Sequence, residues 1–162
     1  MLVRRITAQD SSEWMRLRRA LWPEHTAEEH LIEMRDLSTD PACATFVAVR
    51  PNGGLGGFLE AGIRKYAEGS QTSPVGYIEG WYVDNDLRQL GIGRRLVQAA
   101  EVWALENGLS EMASDCLTDN EISQRAHLAL GYKEVERLIH FIKPLSSNSI
   151  GVTQLKWEKS EK

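Results

Sequence analysis

Cysteine is scarce in this chain: Cys43 and Cys116 are the only two, and neither has a second Cys or a His at short metal-ligand spacing. That argues for neither a disulfide framework nor a zinc site, and it predicts a reducing compartment, the cytoplasm. Long apolar runs are missing as well; nothing approaches the roughly 20 residues a bilayer-spanning helix needs. Met1-Leu2-Val3-Arg4-Arg5 lacks the apolar core of a signal peptide. Nor is there a basic excess. The formal net charge is −4 and the pI near 5.6, which argues against a nucleic-acid partner. The cluster Arg16, Arg18, Arg19 falls on a predicted helix and reads as a solvated face. No segment repeats.

What is present is an ordinary globular balance, 42% hydrophobic and 26% charged over 162 residues, enough for one domain with one core. Leu2–Ile6 alternates as a first strand. Asp10 and Glu13 form a predicted capping box for a helix with Trp14, Leu17 and Leu21 on one stripe, closed by Pro23. Thr26 and Glu29 repeat the signal ahead of Leu31, Met34 and Leu37. Thr45–Val49, the turn Pro51-Asn52-Gly53-Gly54 and Leu55–Ile63 predict a hairpin. A polar surface loop, Ala67–Pro74, precedes a strand at Tyr77–Val83. The helical pattern over Ile92–Glu106 is stopped by Asn107-Gly108, and Leu96, Ala99, Ala100 and Trp103 make its apolar face. A short strand at Glu111–Cys116, a helix capped by Thr118 with Glu121 and ended by Gly131, and a strand at Tyr132–Ile142 complete the pattern. The order implies a parallel crossover in the second half and antiparallel hairpins in the first, hence a mixed sheet with helices on both faces. Residues 1–145 are expected to form a single domain and 146–162 a flexible or appended tail.

The chemistry concentrates at Arg88-Gln89-Leu90-Gly91-Ile92-Gly93, between a strand and a helix. Glycines there let backbone N–H groups turn toward a ligand, and the following helix N-terminus adds partial positive charge. Arg94 and Arg95 add countercharge for a pyrophosphate. The spacing differs from both the dinucleotide fingerprint and the phosphate loop that ends in Gly-Lys-Ser/Thr.

It resembles the R-x-x-G-x-G element of the GNAT superfamily of N-acetyltransferases. Asn120, His127 and Gly131-Tyr132 stand where that family usually shows Asn, Tyr and Gly-Phe. Leu21-Trp22-Pro23, Ser73-Pro74, Glu79-Gly80, Glu111-Met112-Ala113-Ser114-Asp115 and Ile122-Ser123-Gln124 are together similar to aminoglycoside 6'-N-acetyltransferases, over Met1 to Pro144. The resemblance implies an α+β (mixed α/β) GNAT fold, its sheet mostly antiparallel with two splayed parallel central strands. It implies acetyl-coenzyme A as cosubstrate and no metal. Donor binding then falls to Trp81, Tyr82, Val83, Arg88, Gln89, Gly91, Ile92, Gly93, Arg94 and Asn120, with the oxyanion donor on the backbone near Val83. Direct attack within a ternary complex is implied, rather than an acyl-enzyme.

Glu79 interrupts an apolar, aromatic strand and Asp115 ends the neighbouring one, so both carboxylates are expected at the mouth of the splay. They are assigned to binding and proton transfer, and Glu136 to holding ammonium groups. Trp22, His25 and Tyr66 are expected to wall the acceptor cleft. His127 replaces the family's acidic Tyr and can donate only with the right proton. Cys116 is expected to be a buried structural thiol. The leading reading is acetylation of the 6'-amine of aminoglycosides by a cytoplasmic homodimer without nucleic-acid or membrane partners. The same donor chemistry on a polyamine, another small amine or a protein N-terminus is the alternative. A catalytically weak coenzyme-A-binding regulatory module is the alternative of another class.

Overall fold

The computed structural model describes residues 1–145. The expected tail, 146–162, lies outside the described residues. Five strands, β1 (Leu2–Arg5), β2 (Cys43–Val49), β3 (Leu55–Arg64), β4 (Val75–Val83) and β5 (Met112–Ser114), lie in sheet order β1-β2-β3-β4-β5. The first four are antiparallel neighbours. β4 and β5 are parallel, joined through α3 (Ile92–Glu106). The other helices are α1 (Ser11–Leu21), α2 (Ala27–Thr39) and α4 (Glu121–Ala129). No described helix is long and apolar enough to cross a membrane.

The period of two in the strands divides the core. Phe46, Ala48, Leu59, Ala61 and Ile78 meet Leu96, Val97, Ala100 and Trp103 of α3 on one face. Val47 and Phe58 meet Trp14 and Leu17 of α1 and Met34 of α2 on the other. Each fully buried Leu or Phe contributes about 1.5–3 kcal/mol by leaving water, which is what clamps the helices to the sheet.

One irregularity positions the site. β3 and β4 pair Glu60 with Gly80 and Ala61 with Ile78, so Glu79 is the extra residue of a β-bulge. The bulge resets the alternation of β4. Tyr77 lies beneath the Arg64 guanidinium, and Glu79 reaches Gly62, on the α1/α2 face. After the bulge Gly80 lies under the Trp22 ring on that same face, and Trp81 packs on α3. β5 pairs with β4 only at Gly76, Tyr77 and Ile78, opposite Met112, Ala113 and Ser114. β5 ends there, so the Glu79–Val83 edge of β4 has no ladder partner on that side, which leaves a gap in the pairing.

Several sequence expectations shift. The first capping box is Thr7 with Asp10, serving the 3-10 turn Ala8–Asp10, not Asp10 with Glu13. Asp10 is unavailable to cap α1 because Arg4 grips both its oxygens at 2.7 and 2.9 Å, and Thr7 donates to it twice. These donors hold its carboxyl low, at about 2. Thr26 and Glu29 do form the second box. In α2 the buried face runs through His30 and Met34, leaving Leu31 exposed. The cap of α4 is Asn120, whose Oδ1 accepts from Ser123 N–H at 3.0 Å, not Thr118. Residues 132–142 form no strand: the described sheet ends at β5, and an alternating pattern without a paired neighbour makes no ladder.

Candidate active site

On the α1/α2 face a cleft of about 830 Å³ opens beside the bulge, lined among others by Trp22, His25, Glu33, Asp36, Asp40 and Glu79. Five carboxylates, those of Glu33, Asp36, Asp40, Glu60 and Glu79, line it against a single arginine, Arg18. Trp22 stacks on His25 with ring centres 6.2 Å apart and meets Phe58 edge-on. The expected wall therefore includes Trp22 and His25. Tyr66 is 65% exposed and Glu136 is exposed; neither lines the cleft.

Arg18 is buried, which corrects its reading as a solvated residue. Its Nη1 donates to both oxygens of Glu60 at 2.5 Å, its Nη2 to Glu33 and its Nε to His30 Nδ1 at 3.4 Å. Trp14 donates to Glu60 at 2.7 Å, and the guanidinium lies 4.7 Å from the Trp22 ring centre. The signal was present: Trp14, Arg18 and Leu21 fall at i, i+4 and i+7, so Arg18 shares the apolar stripe. Glu60, the acid inside the apolar strand Leu55–Arg64, is its partner and went unassigned. Burial pushes the Glu60 carboxyl up, while the guanidinium and the indole N–H pull it back.

His25, His30 and Glu33 converge within 4.8 Å, the spacing of a metal site. The hydrogen bonds oppose that use. Because Arg18 donates to His30 Nδ1, the neutral ring carries its hydrogen on Nε2 and has no lone pair there to coordinate. Burial and Arg18 push His30 toward the neutral form, and the same guanidinium already neutralises Glu33.

Glu79 and Asp115 are brought together around Tyr77. Arg64 donates from Nε to Glu79 at 2.8 Å, closes a second bond from Nη2, and stacks 3.4 Å from the Tyr77 ring centre. Burial and the neighbouring Asp115 carboxylate, which the Tyr77 hydroxyl contacts, push that hydroxyl well up. Glu79 thus already has a cation, whereas Asp115 is exposed and meets a neutral hydroxyl. Cys116 is exposed, so it is not the buried structural thiol expected. Cys43 lines the cleft, and burial with Asp40 pushes its thiol away from the nucleophilic thiolate.

Across the sheet, the Val83 N–H faces the gap. Asp84 N–H donates to Gly56 at 2.9 Å, and successive amides of a strand point to opposite sides. Arg88 donates to the Val83 carbonyl at 3.1 Å and lies 5.7 Å from the Tyr82 ring centre. Gly91 has φ +77°, a conformation side chains resist, and it begins α3. Gly93 is required by packing, since a Cβ there would meet the Trp81 ring at 2.7 Å. Gln89 also has positive φ. The first turn of α3 has no side-chain cap and no acid, yet carries Arg94. Positive charge at the positive end of a helix dipole suits an anion. Arg94 itself turns to the Ala129 carbonyl at 3.1 Å. His127 packs edge-on to Trp81, its ring centre 5.4 Å away.

An acidic cleft lies on one face and an anion-seeking helix end on the other, with the part of β4 left unpaired by β5 between them. The acetyltransferase (GNAT) family profile matches residues 12–132. The chain is a member of the GNAT acetyltransferase family. It is 42% identical over 147 residues to an aminoglycoside N(6')-acetyltransferase type 1 of Klebsiella aerogenes, covering 89% of this chain and 97% of that one. Identity to the enzyme of that name from Stenotrophomonas maltophilia is 36% over 148 residues, 91% of this chain and 95% of the relative. Among solved structures, AAC(6')-Iy in complex with the bisubstrate analogue CoA-S-monomethyl-acetylneamine superposes with TM-score 0.85 at 36% identity, covering 89% of this chain and 98% of that one. The 6'-N-acetyltransferase AAC(6')-Ih of Acinetobacter baumannii gives 0.84 at 40% identity, with 90% and 99% covered. The α+β GNAT fold expected from the motifs is therefore the fold of this acetyltransferase.

Arg18→Met strands the buried Glu60 charge, and thermal or urea unfolding should show about 3–5 kcal/mol less stability. Adding Glu60→Leu should recover most of that loss. A single variant as stable as wild type would show that the pair carries no buried charge.

Proposed function

We propose that this acetyltransferase moves the acetyl group of acetyl-coenzyme A to the 6'-amine of aminoglycosides, by direct attack in a ternary complex. The observation that carries the proposal is the acidic cleft, whose lining reaches β4 at the bulged Glu79, on the stretch of that strand left unpaired by β5. An aminoglycoside is a polycation of sugar size, matched by clustered carboxylates and by the Trp22–His25 wall. The names of the relatives support the same acceptor.

In this reading the edge formed by Trp81, Tyr82 and Val83 pairs with the pantetheine arm. Arg88, Gln89, Gly91, Ile92, Gly93 and Arg94 surround the pyrophosphate, and Asn120 shapes the adjoining turn. The Val83 N–H donates to the thioester oxygen as it gains charge. Binding and base catalysis conflict, because a carboxylate held against an ammonium suppresses its loss of a proton. The chain separates the tasks. Asp36 and Asp40 hold ammonium groups, Glu79 is partly spent on Arg64, and Asp115 takes the reactive proton. Glu136 and Tyr66 serve an outer rim. His127 supplies the proton for the leaving sulfur, and no metal takes part.

Residues 1–145 act as one domain in the cytoplasm, where Cys43 and Cys116 stay reduced, and two copies pair. Ile139, Phe141 and Ile142 are 80, 91 and 97% exposed, and β5 ends the described sheet with an open edge. Both features favour cover by a second copy.

Thiol release with kanamycin, tobramycin and spermidine tests the acceptor. Turnover is expected with the two drugs and not with an aminoglycoside bearing a 6'-hydroxyl. Spermidine as sole substrate would move the reading to polyamines; coenzyme A binding without turnover would leave a regulatory module. Asp115→Ala should lower kcat by about 10²–10⁴-fold with coenzyme A affinity unchanged, and a wild-type rate across pH would remove Asp115 from the proton path. Light scattering should give about twice 18.3 kDa, with Phe141→Asp/Ile142→Asp giving the monomer; a monomeric wild type defeats the pairing.

A further inference from the structure

We infer that Ser114 is the group that hands the proton to the departing sulfur, with His127 behind it as the proton store. The inference rests on placing the donor in the gap between β4 and β5, as proposed above.

Ser114 is the last residue of β5 and lies opposite Ile78, the final pair before the strands part. Alternation turns its side chain from the Tyr77 face toward α4, where its Oγ lies 2.9 Å from His127 Nε2. The other ring nitrogen, Nδ1, is 2.8 Å from the Ser123 carbonyl. A carbonyl only accepts, so Nδ1 carries a hydrogen in either charge state. Trp81 and Tyr132 meet the ring edge-on, 5.4 and 5.5 Å from it, and fix its plane. Tyr132 in turn reaches Glu101 of α3 at 3.2 Å, and Arg94 sits on the last turn of α4 through Ala129. With Nδ1 committed to Ser123 and Nε2 covered by Ser114, neither nitrogen presents a proton directly to the gap. Ser114 does.

The direction of the Ser114–His127 bond depends on the ring's charge. With a neutral ring, Ser114 donates to Nε2 and its hydrogen points away from the gap. With a charged ring, Nε2–H donates to Ser114 Oγ and the serine hydrogen is free to turn toward sulfur. When the C–S bond breaks, its electron pair stays on sulfur. The Ser114 hydrogen then moves to sulfur, and the Nε2 hydrogen moves to Ser114 Oγ. The products are the thiol, an intact serine and a neutral imidazole, which takes a proton back from solvent. An ammonium acceptor loses two protons on the carboxylate side of the sheet in becoming the amide, and one returns from solvent to the imidazole, so the overall reaction releases one proton.

Ser114→Ala should lower kcat about tenfold to a hundredfold while both KM values stay within about twofold. Ser114→Thr should restore most of the rate. His127→Ala should show a similar loss, and the double variant no further loss, since the two act as one unit. The pH dependence of kcat should flatten in each alanine variant. Nitrogen NMR of labelled histidine should show the His127 Nε2 resonance move in Ser114→Ala while Nδ1 keeps its hydrogen. Circular dichroism and calorimetry with coenzyme A accompany each variant. Folded Ser114→Ala that binds coenzyme A normally and turns over at the wild-type rate overturns the role of Ser114 alone. A folded wild type that does not bind coenzyme A overturns the donor placement, and this inference with it.

Discussion

Three residue pairs hold β4 to β5, and the rest of the site follows from where that pairing stops. Had the strands stayed in register past Ile78 and Ser114, the Val83 N–H would be consumed by a ladder bond. The bulge at Glu79 acts at the same level of the sheet. By adding one residue to β4 it bends the strand and shifts its parity. Glu79 and Gly80 therefore both serve the acidic face, while Trp81 and Val83 serve the α3 face. A sheet is normally a wall between its two sides. Here the pairing stops short, with the acidic cleft on one side and the N-terminus of α3 on the other.

The acidic face is maintained by internal cations. Arg18 crosses the core beneath the cleft and joins α1, α2 and β3 through Glu60, Glu33 and His30. Arg64 does the same at the rim for Glu79. Carboxylates this dense repel one another, and two guanidiniums let them coexist without an occupant. They also grade the site. Carboxylates already paired with these arginines offer less to an incoming ammonium than Asp40 and Asp115, or than Asp36, whose one cation is the exposed Arg35.

Much of the fold is legible in local pattern. Ile92–Glu106 is bounded correctly because glycines stand just outside both ends and its apolar spacing is unbroken. Thr26 with Glu29 marks α2 because the box uses only residues three apart. Local pattern misleads where a distant partner competes. Asp10 is taken by Arg4, and Tyr132–Ile142 alternates like a strand without pairing to the described sheet. Arg18 illustrates the same limit: its position on the helical stripe was visible, but a buried guanidinium makes sense only once Glu60 is known to face it.

By itself the sequence determined the order of elements, the glycine-bearing turn before α3, the family, and the candidates Glu79, Asp115 and His127. These depend on residues near one another along the chain, where spacing and composition act directly. Tertiary structure alone decided that Glu79 is tied to Arg64 and that Gly93 packs against the Trp81 ring. It also decided that His127 is covered by a serine 13 residues away. Those contacts join separate strands and helices, and their geometry is set by a bulge and by the point where two strands part.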